Sequence, residues 1–238
     1  MKIIELVLMA IPCFLLVITI HELGHIIAGM LSGFRFEMLV IGPFGLKRNE
    51  DHKVIFYIEK NISMWGGMGA TVPVNENKDN LDKFANVIIG GPLLSLLFGI
   101  AMIWLFIYNS HSFLLLLGAM AIGISIATLI PSRFGGFYSD GGRWLRIKRN
   151  GKDAMVEKAI FNFVQSGSVN GNYSKLIIED TRLLIEDSDY RNQYLGHYFA
   201  YHYFKDNKDF KNADEELNSM AEPKAHVSKS FVKMLTVD

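Results

Sequence analysis

Three long apolar runs dominate the first half of the chain, and the polar stretches between them differ in character. The runs cover about residues 3–31, 84–108 and 113–130. A helix of about 20 apolar residues crosses a bilayer core, so the pattern predicts three membrane spans. The first run extends past the length of a signal h-region and lacks a clear small-residue cleavage site, so a retained span is expected. Asn109 to Ser112 leaves room only for a very short turn between the second and third runs.

Residues 34–74 read differently. Phe34-Arg35-Phe36-Glu37-Met38 alternates, and Lys53 to Glu59 does so more loosely, with Gly42-Pro43 and a charge cluster from Lys47 to His52 between them. Alternation of period two predicts short strands with a hairpin, here a small membrane-associated β-segment. Asn75 to Lys83 is polar and reads as a surface linker. From about Asp153 the chain is soluble in character. Around Gly196, Ala200, Phe210 and Ala213 it suggests one helix-turn-helix of tetratricopeptide type. The expected fold is an all-α polytopic membrane protein. It has a three-span core over 1–150, with the β-segment inside it, and a soluble α-helical domain over 151–238.

Small residues recur four apart in two spans: Gly91, Ser95 and Gly99, then Ala119, Gly123 and Ala127. Such stripes let membrane helices approach closely, and a tight three-helix cluster is expected. Pro92 interrupts the backbone bonding of its helix. The basic cluster Arg143, Arg146, Lys148, Arg149 and Lys152 favours the cytoplasmic side. The cytoplasmic ends of spans one and three then share one membrane face.

Composition changes this picture little. Half of the 238 residues are hydrophobic and the formal net charge is zero, so nothing points to nucleic acid. The single cysteine, Cys13, forms no internal disulfide and no cysteine metal site.

The chemistry lies in His21-Glu22-Leu23-Gly24-His25, within the first span. A helix places residues four apart on one face, so His21 and His25 can share a metal ion while Glu22 handles a proton. Ionisable groups are costly in a membrane and mark function there. A hydrolytic zinc site needs a third protein ligand and an open position. Asp140 suits, because it follows the third span and glycines flank it; Glu157 and Glu179 are available but sit near no span end. Glycines at Gly66 and Gly67 let an extended peptide approach the backbone.

With HELGH in a span, Gly90-Gly91-Pro92 in the next, and Pro131 followed by Asp140-Gly141, the chain resembles the site-2 protease family over about residues 3–146. The resemblance implies a three-helix intramembrane metalloprotease core with one zinc ion on His21, His25 and Asp140. Glu22 would be its catalytic acid/base. It also implies multi-pass residence in the cell membrane, a site opening towards the cytoplasm, and substrates that are membrane-embedded or membrane-adjacent peptide segments. The chain departs from the family pattern at three points: Thr128 and Ser95 stand where Asn is frequent, and the insert Arg133 to Tyr138 lengthens the approach to Asp140. Gly66, Gly67, Gly91, Pro92 and Thr128 are candidates for binding substrate or shaping the site. The helical tail is a candidate docking surface for a partner. A protease-like scaffold that binds without cleaving is the alternative, against which Glu22 argues.

Overall fold

The structure is a computed structural model and describes residues 3–49, 51–75, 77–134, 137–149 and 151–235. Two compact units share the chain: Met1–Val72 with Asp82–Leu145, and Pro73–Leu81 with Arg146–Asp238.

Among the described residues, three helices are long and apolar enough to cross a membrane. They are α1 (Ile3–Leu31), α2 (Asn80–Asn109) and α3 (Ser112–Leu129). The first and second stay helical through Pro12 and Pro92. Cys13 and Val17 of α1 bury against Leu117 and Ala121 of α3, with Phe98 and Met102 of α2 alongside. Bare backbones set the close approaches. A Cβ on Gly24 would overlap the Gly90 carbonyl, and one on Gly99 would reach within 2.9 Å of the Gly118 carbonyl.

The stripe Gly91, Ser95, Gly99 is buried, as expected of a packing face. The second stripe is corrected by the structure. Ala119, Gly123 and Ala127 are exposed, and α3 buries Leu117, Gly118, Ala121 and Ser125 instead. Small residues recur on more than one face of α3. The face that buries Leu117 and fits Gly118 against Gly99 is the one that packs.

After α1 come strands β1 (Phe34–Ile41), β2 (Phe44–Arg48), β3 (Val54–Ile58) and β4 (Met68–Pro73). They form one sheet in the order β3-β2-β1-β4, which is more than the single expected hairpin. Ile41 pairs with Phe44 across Gly42-Pro43, where Gly42 takes a positive φ of 56°. That turn places β2 antiparallel to β1, and β3 returns antiparallel to β2. The strand β4 lies at the sheet edge beside β1. A two-stranded hairpin, β5 (Arg133–Phe134) with β6 (Phe137–Tyr138), follows α3 and leads into α4 (Asp140–Lys148). The glycines at 135 and 136 within that insert lie outside the described residues.

The second unit is helical: α5 (Lys152–Asn170), α6 (Ile178–Ile185), α7 (Tyr190–Asp206), α8 (Phe210–Ser219), α9 (Ala221–His226) and α10 (Lys229–Met234). Val156, Ala159, Phe163, Leu184 and Phe199 form one core cluster, and Tyr194, Tyr201, Ala213 and Met220 another. In the α7–α8 pair Gly196, Ala200 and Ala213 are buried, whereas Phe210 is exposed. The tail histidines serve packing: His197 pairs with Glu216 at 2.6 Å and His226 stacks on Tyr190. The expected surface linker ends early. Asn80 already begins α2 and is buried, because its amide donates to Gln165 Oε1 at 2.8 Å and to the Asn75 carbonyl.

Arg146 is also buried in this unit, held by Glu157 at 2.9 Å and Asp153 at 3.2 Å. Its charge therefore has partners within the protein. Removing one member of a buried pair strands the other and costs about 3–5 kcal/mol. Arg146→Ala should lower the thermal unfolding temperature of the purified protein accordingly. Arg146→Met combined with Glu157→Leu should recover most of that loss. A double variant no more stable than Arg146→Ala would show that the pair is not the origin of the loss.

Candidate metal centre

His21 and His25 lie one turn apart on α1, with ring centroids 4.9 Å apart and planes nearly perpendicular. Their Nε2 atoms are 3.2 Å from each other. Asp140 Oδ2 lies 3.2 Å from His21 Nε2 and 3.7 Å from His25 Nε2. Among the described residues, these three form a group that could hold a metal ion.

The Nδ1 atoms face away from this point, towards α2. His25 Nδ1 donates to the Val87 carbonyl at 2.9 Å, and His21 Nδ1 meets Ser95 Oγ at 3.1 Å. A carbonyl only accepts, so neutral His25 carries its proton on Nδ1 and a lone pair on Nε2. That lone pair points at the His21 nitrogen and the Asp140 carboxylate. Ligands at about 2.1 Å from a tetrahedral zinc stand about 3.4 Å apart. The observed separations of 3.2, 3.2 and 3.7 Å match such edges. Two imidazoles and one carboxylate are a donor set that suits zinc and leaves the fourth position open.

Asp140 reaches this point because the chain between α3 and α4 closes on itself. The Ser139 amide donates to the Ser132 carbonyl at 3.0 Å. The Ser139 hydroxyl donates to the Ile130 carbonyl at 2.7 Å and accepts from the Ser132 amide at 3.0 Å. It also accepts from the Gly142 amide at 3.2 Å, the bond made by a helix N-cap. The insert is thus a pinched hairpin, and Asp140 starts α4 close to the end of α3. Gly141 permits this, since a Cβ there would overlap the Leu129 carbonyl.

Glu22 sits beside the histidines and interacts electrostatically with His25 and Asp140. The start of β4 covers it. A Cβ on Gly67 would lie 2.9 Å from Glu22 Oε1, and one on Gly69 would lie 3.0 Å from Oε2. Gly67 has a φ of +106°, which only glycine adopts readily. Gly91 backs onto the His25 ring, where a side chain would overlap Nε2. Pro92 is fully buried and its carbonyl accepts from Ser125 Oγ at 2.8 Å. Two other sequence candidates lie differently. Gly66 is exposed with nothing within 4 Å of a Cβ. Thr128 spends its hydroxyl on the Ile124 and Ser125 carbonyls of its own helix. Glu157, an alternative third ligand, is engaged by Arg146.

A cavity of about 530 Å³ is lined by Ala28, Ile89, Gly90, Leu129, Gly141 and Trp144 among others. Gly141 follows Asp140 in the chain, and Gly90 precedes the Gly91 that backs onto His25. Sequence reasoning did not find the Val87 and Ser95 contacts or the Ser139 staple. The first two were signalled by the spacing of 87, 91 and 95, which places them along one face of α2.

The family model for peptidase family M50 matches residues 9–237. No curated protein and no solved structure matches the chain.

Gly91→Ala should push the His25 ring off its position and lower the zinc retained per chain after dialysis. Gly66→Ala, in open space, should leave it unchanged. Equal retention by Gly91→Ala and wild type would refute the contact as a constraint on the ligand.

Proposed function

We propose, because this chain belongs to peptidase family M50, that it is a zinc-dependent endopeptidase working in the membrane. The family implies an intramembrane metalloprotease, and three apolar helices fit that setting. The convergence of His21, His25 and Asp140 carries the reading. These residues would hold zinc, with Glu22 as general acid and base.

When bound, a zinc ion supplies Lewis acidity, which makes water a stronger acid and draws charge from a peptide carbonyl. Glu22 takes a proton from the attacking water on its carboxylate as the water oxygen bonds to the peptide carbon. It returns that proton to the amine nitrogen as the C–N bond breaks. Gly67 and Gly69 leave bare backbone beside the carboxylate, and β4 lies at a sheet edge. An extended peptide along that edge has its own backbone groups paired and its scissile bond near Glu22. The cavity accepts apolar side chains, as a membrane-embedded or membrane-adjacent substrate would present.

The basic residues that follow α3 support a site opening to the cytoplasm. Within the second unit, the α7–α8 pair with its buried small residues supports a tetratricopeptide-like docking role for a partner.

Glu22→Gln keeps the shape but not the proton transfer, and should slow cleavage by about 10²–10⁴-fold with zinc content unchanged. Comparative membrane peptidomics of cells carrying wild type or Glu22→Gln identifies the substrates and tests this together. Identical peptide sets would sink the protease reading. Stripping zinc with a chelator should abolish wild-type cleavage, and readding zinc should restore it.

A further inference from the structure

We propose that Ser95 is a positioning residue for a metal ligand. Its hydroxyl holds the His21 ring in the orientation that turns Nε2 towards a cation. The inference rests on the reading that His21, His25 and Asp140 bind zinc.

The chain supplies its own comparison. A serine or threonine inside a helix commonly turns its hydroxyl back to the carbonyl one turn earlier. Thr19 does so to Leu15 at 2.7 Å, Ser32 to Ala28 at 2.7 Å and Thr128 to Ile124 at 3.0 Å. Ser95 does otherwise. Among the described residues its hydroxyl is hydrogen-bonded to His21 Nδ1, on another helix and 74 positions away. Its relative exposure is 0%, so no bulk water competes for the contact.

The position along α2 matters as much. Val87, Gly91 and Ser95 follow one another at four-residue spacing on a buried face. The Val87 carbonyl fixes His25 Nδ1, Gly91 gives the His25 ring clearance, and Ser95 meets His21 Nδ1. Through Val87 and Ser95, one face of α2 therefore addresses both histidines at Nδ1.

A competing arrangement exists for the His21 ring. His21 Nε2 lies 3.2 Å from Asp140 Oδ2. If the ring carried its proton on Nε2, that nitrogen would donate to the carboxylate and both ligand atoms would be spent on each other. A cation on Nε2 requires the proton on Nδ1 instead, and the Ser95 hydroxyl can accept from it there. Without that hydroxyl, Nδ1–H is a buried donor with no partner, and the ring gains by moving its proton to Nε2.

The test is zinc affinity, measured by chelator competition on the purified full-length protein. The comparison is wild type, Ser95→Ala and Ser125→Ala. Ser125→Ala removes a buried hydroxyl from the same helix cluster but touches no ligand, and it should leave zinc affinity unchanged. Ser95→Ala should weaken zinc about 10–100-fold, the usual effect of removing a partner of a ligating histidine. Melting of the chelated proteins reads folding separately, and Ser95→Ala should melt no lower than Ser125→Ala. Histidine ¹⁵N spectra of the zinc-loaded proteins should show the Nδ1–H signal of one ring shifted in Ser95→Ala only. Zinc bound by Ser95→Ala as tightly as by wild type overturns the inference alone, as does an equal loss in Ser125→Ala. A wild type that binds no zinc overturns the metal reading and this inference with it.

Discussion

Polar groups in a hydrocarbon environment must find partners inside the protein, and the arrangement around α1 follows from that constraint. His21, Glu22 and His25 bring two imidazoles and a carboxylate into an apolar helix. The protein meets the demand on several sides. The α2 face offers the Val87 carbonyl and the Ser95 hydroxyl to the Nδ1 atoms. Asp140 meets the Nε2 atoms from the start of α4, and the backbone at Gly67 and Gly69 lines the Glu22 carboxylate.

Such partnering needs very short distances between backbones, which explains where the glycines fall. Gly24 against Gly90 sets the crossing of α1 and α2. Gly91 gives the His25 ring its space, and Gly141 brings α4 onto the end of α3. The first shares its helix with the histidines, the next two share one with Ser95, and the last follows Asp140. The same residues that let helices pack therefore set where the candidate ligands stand, and packing and chemistry cannot be varied independently here.

The stretch between Pro131 and Asp140 brings Asp140 close to the end of α3. Longer in sequence, it is short in space. Ser139 binds Ile130, Ser132 and Gly142, so the extra residues form a side hairpin. Ser95 offers His21 a hydroxyl at 3.1 Å.

Three candidate spans and a histidine pair on one helical face were legible in the sequence, and Asp140 stood there as a candidate partner. These follow from local periodicity and spacing, which depend on neighbours in the chain. The sequence also indicated that Gly91, Ser95 and Gly99 form a packing face. Only the tertiary structure decided that Ala119, Gly123 and Ala127 lie outside, since several faces of α3 carry small residues and the partner's shape selects one. It alone gave β4 its place against Glu22, buried Asn80 through Gln165, and directed the Ser95 hydroxyl to His21 rather than to its own helix. Each of those outcomes depends on an atom supplied by a distant part of the chain, which no local pattern encodes.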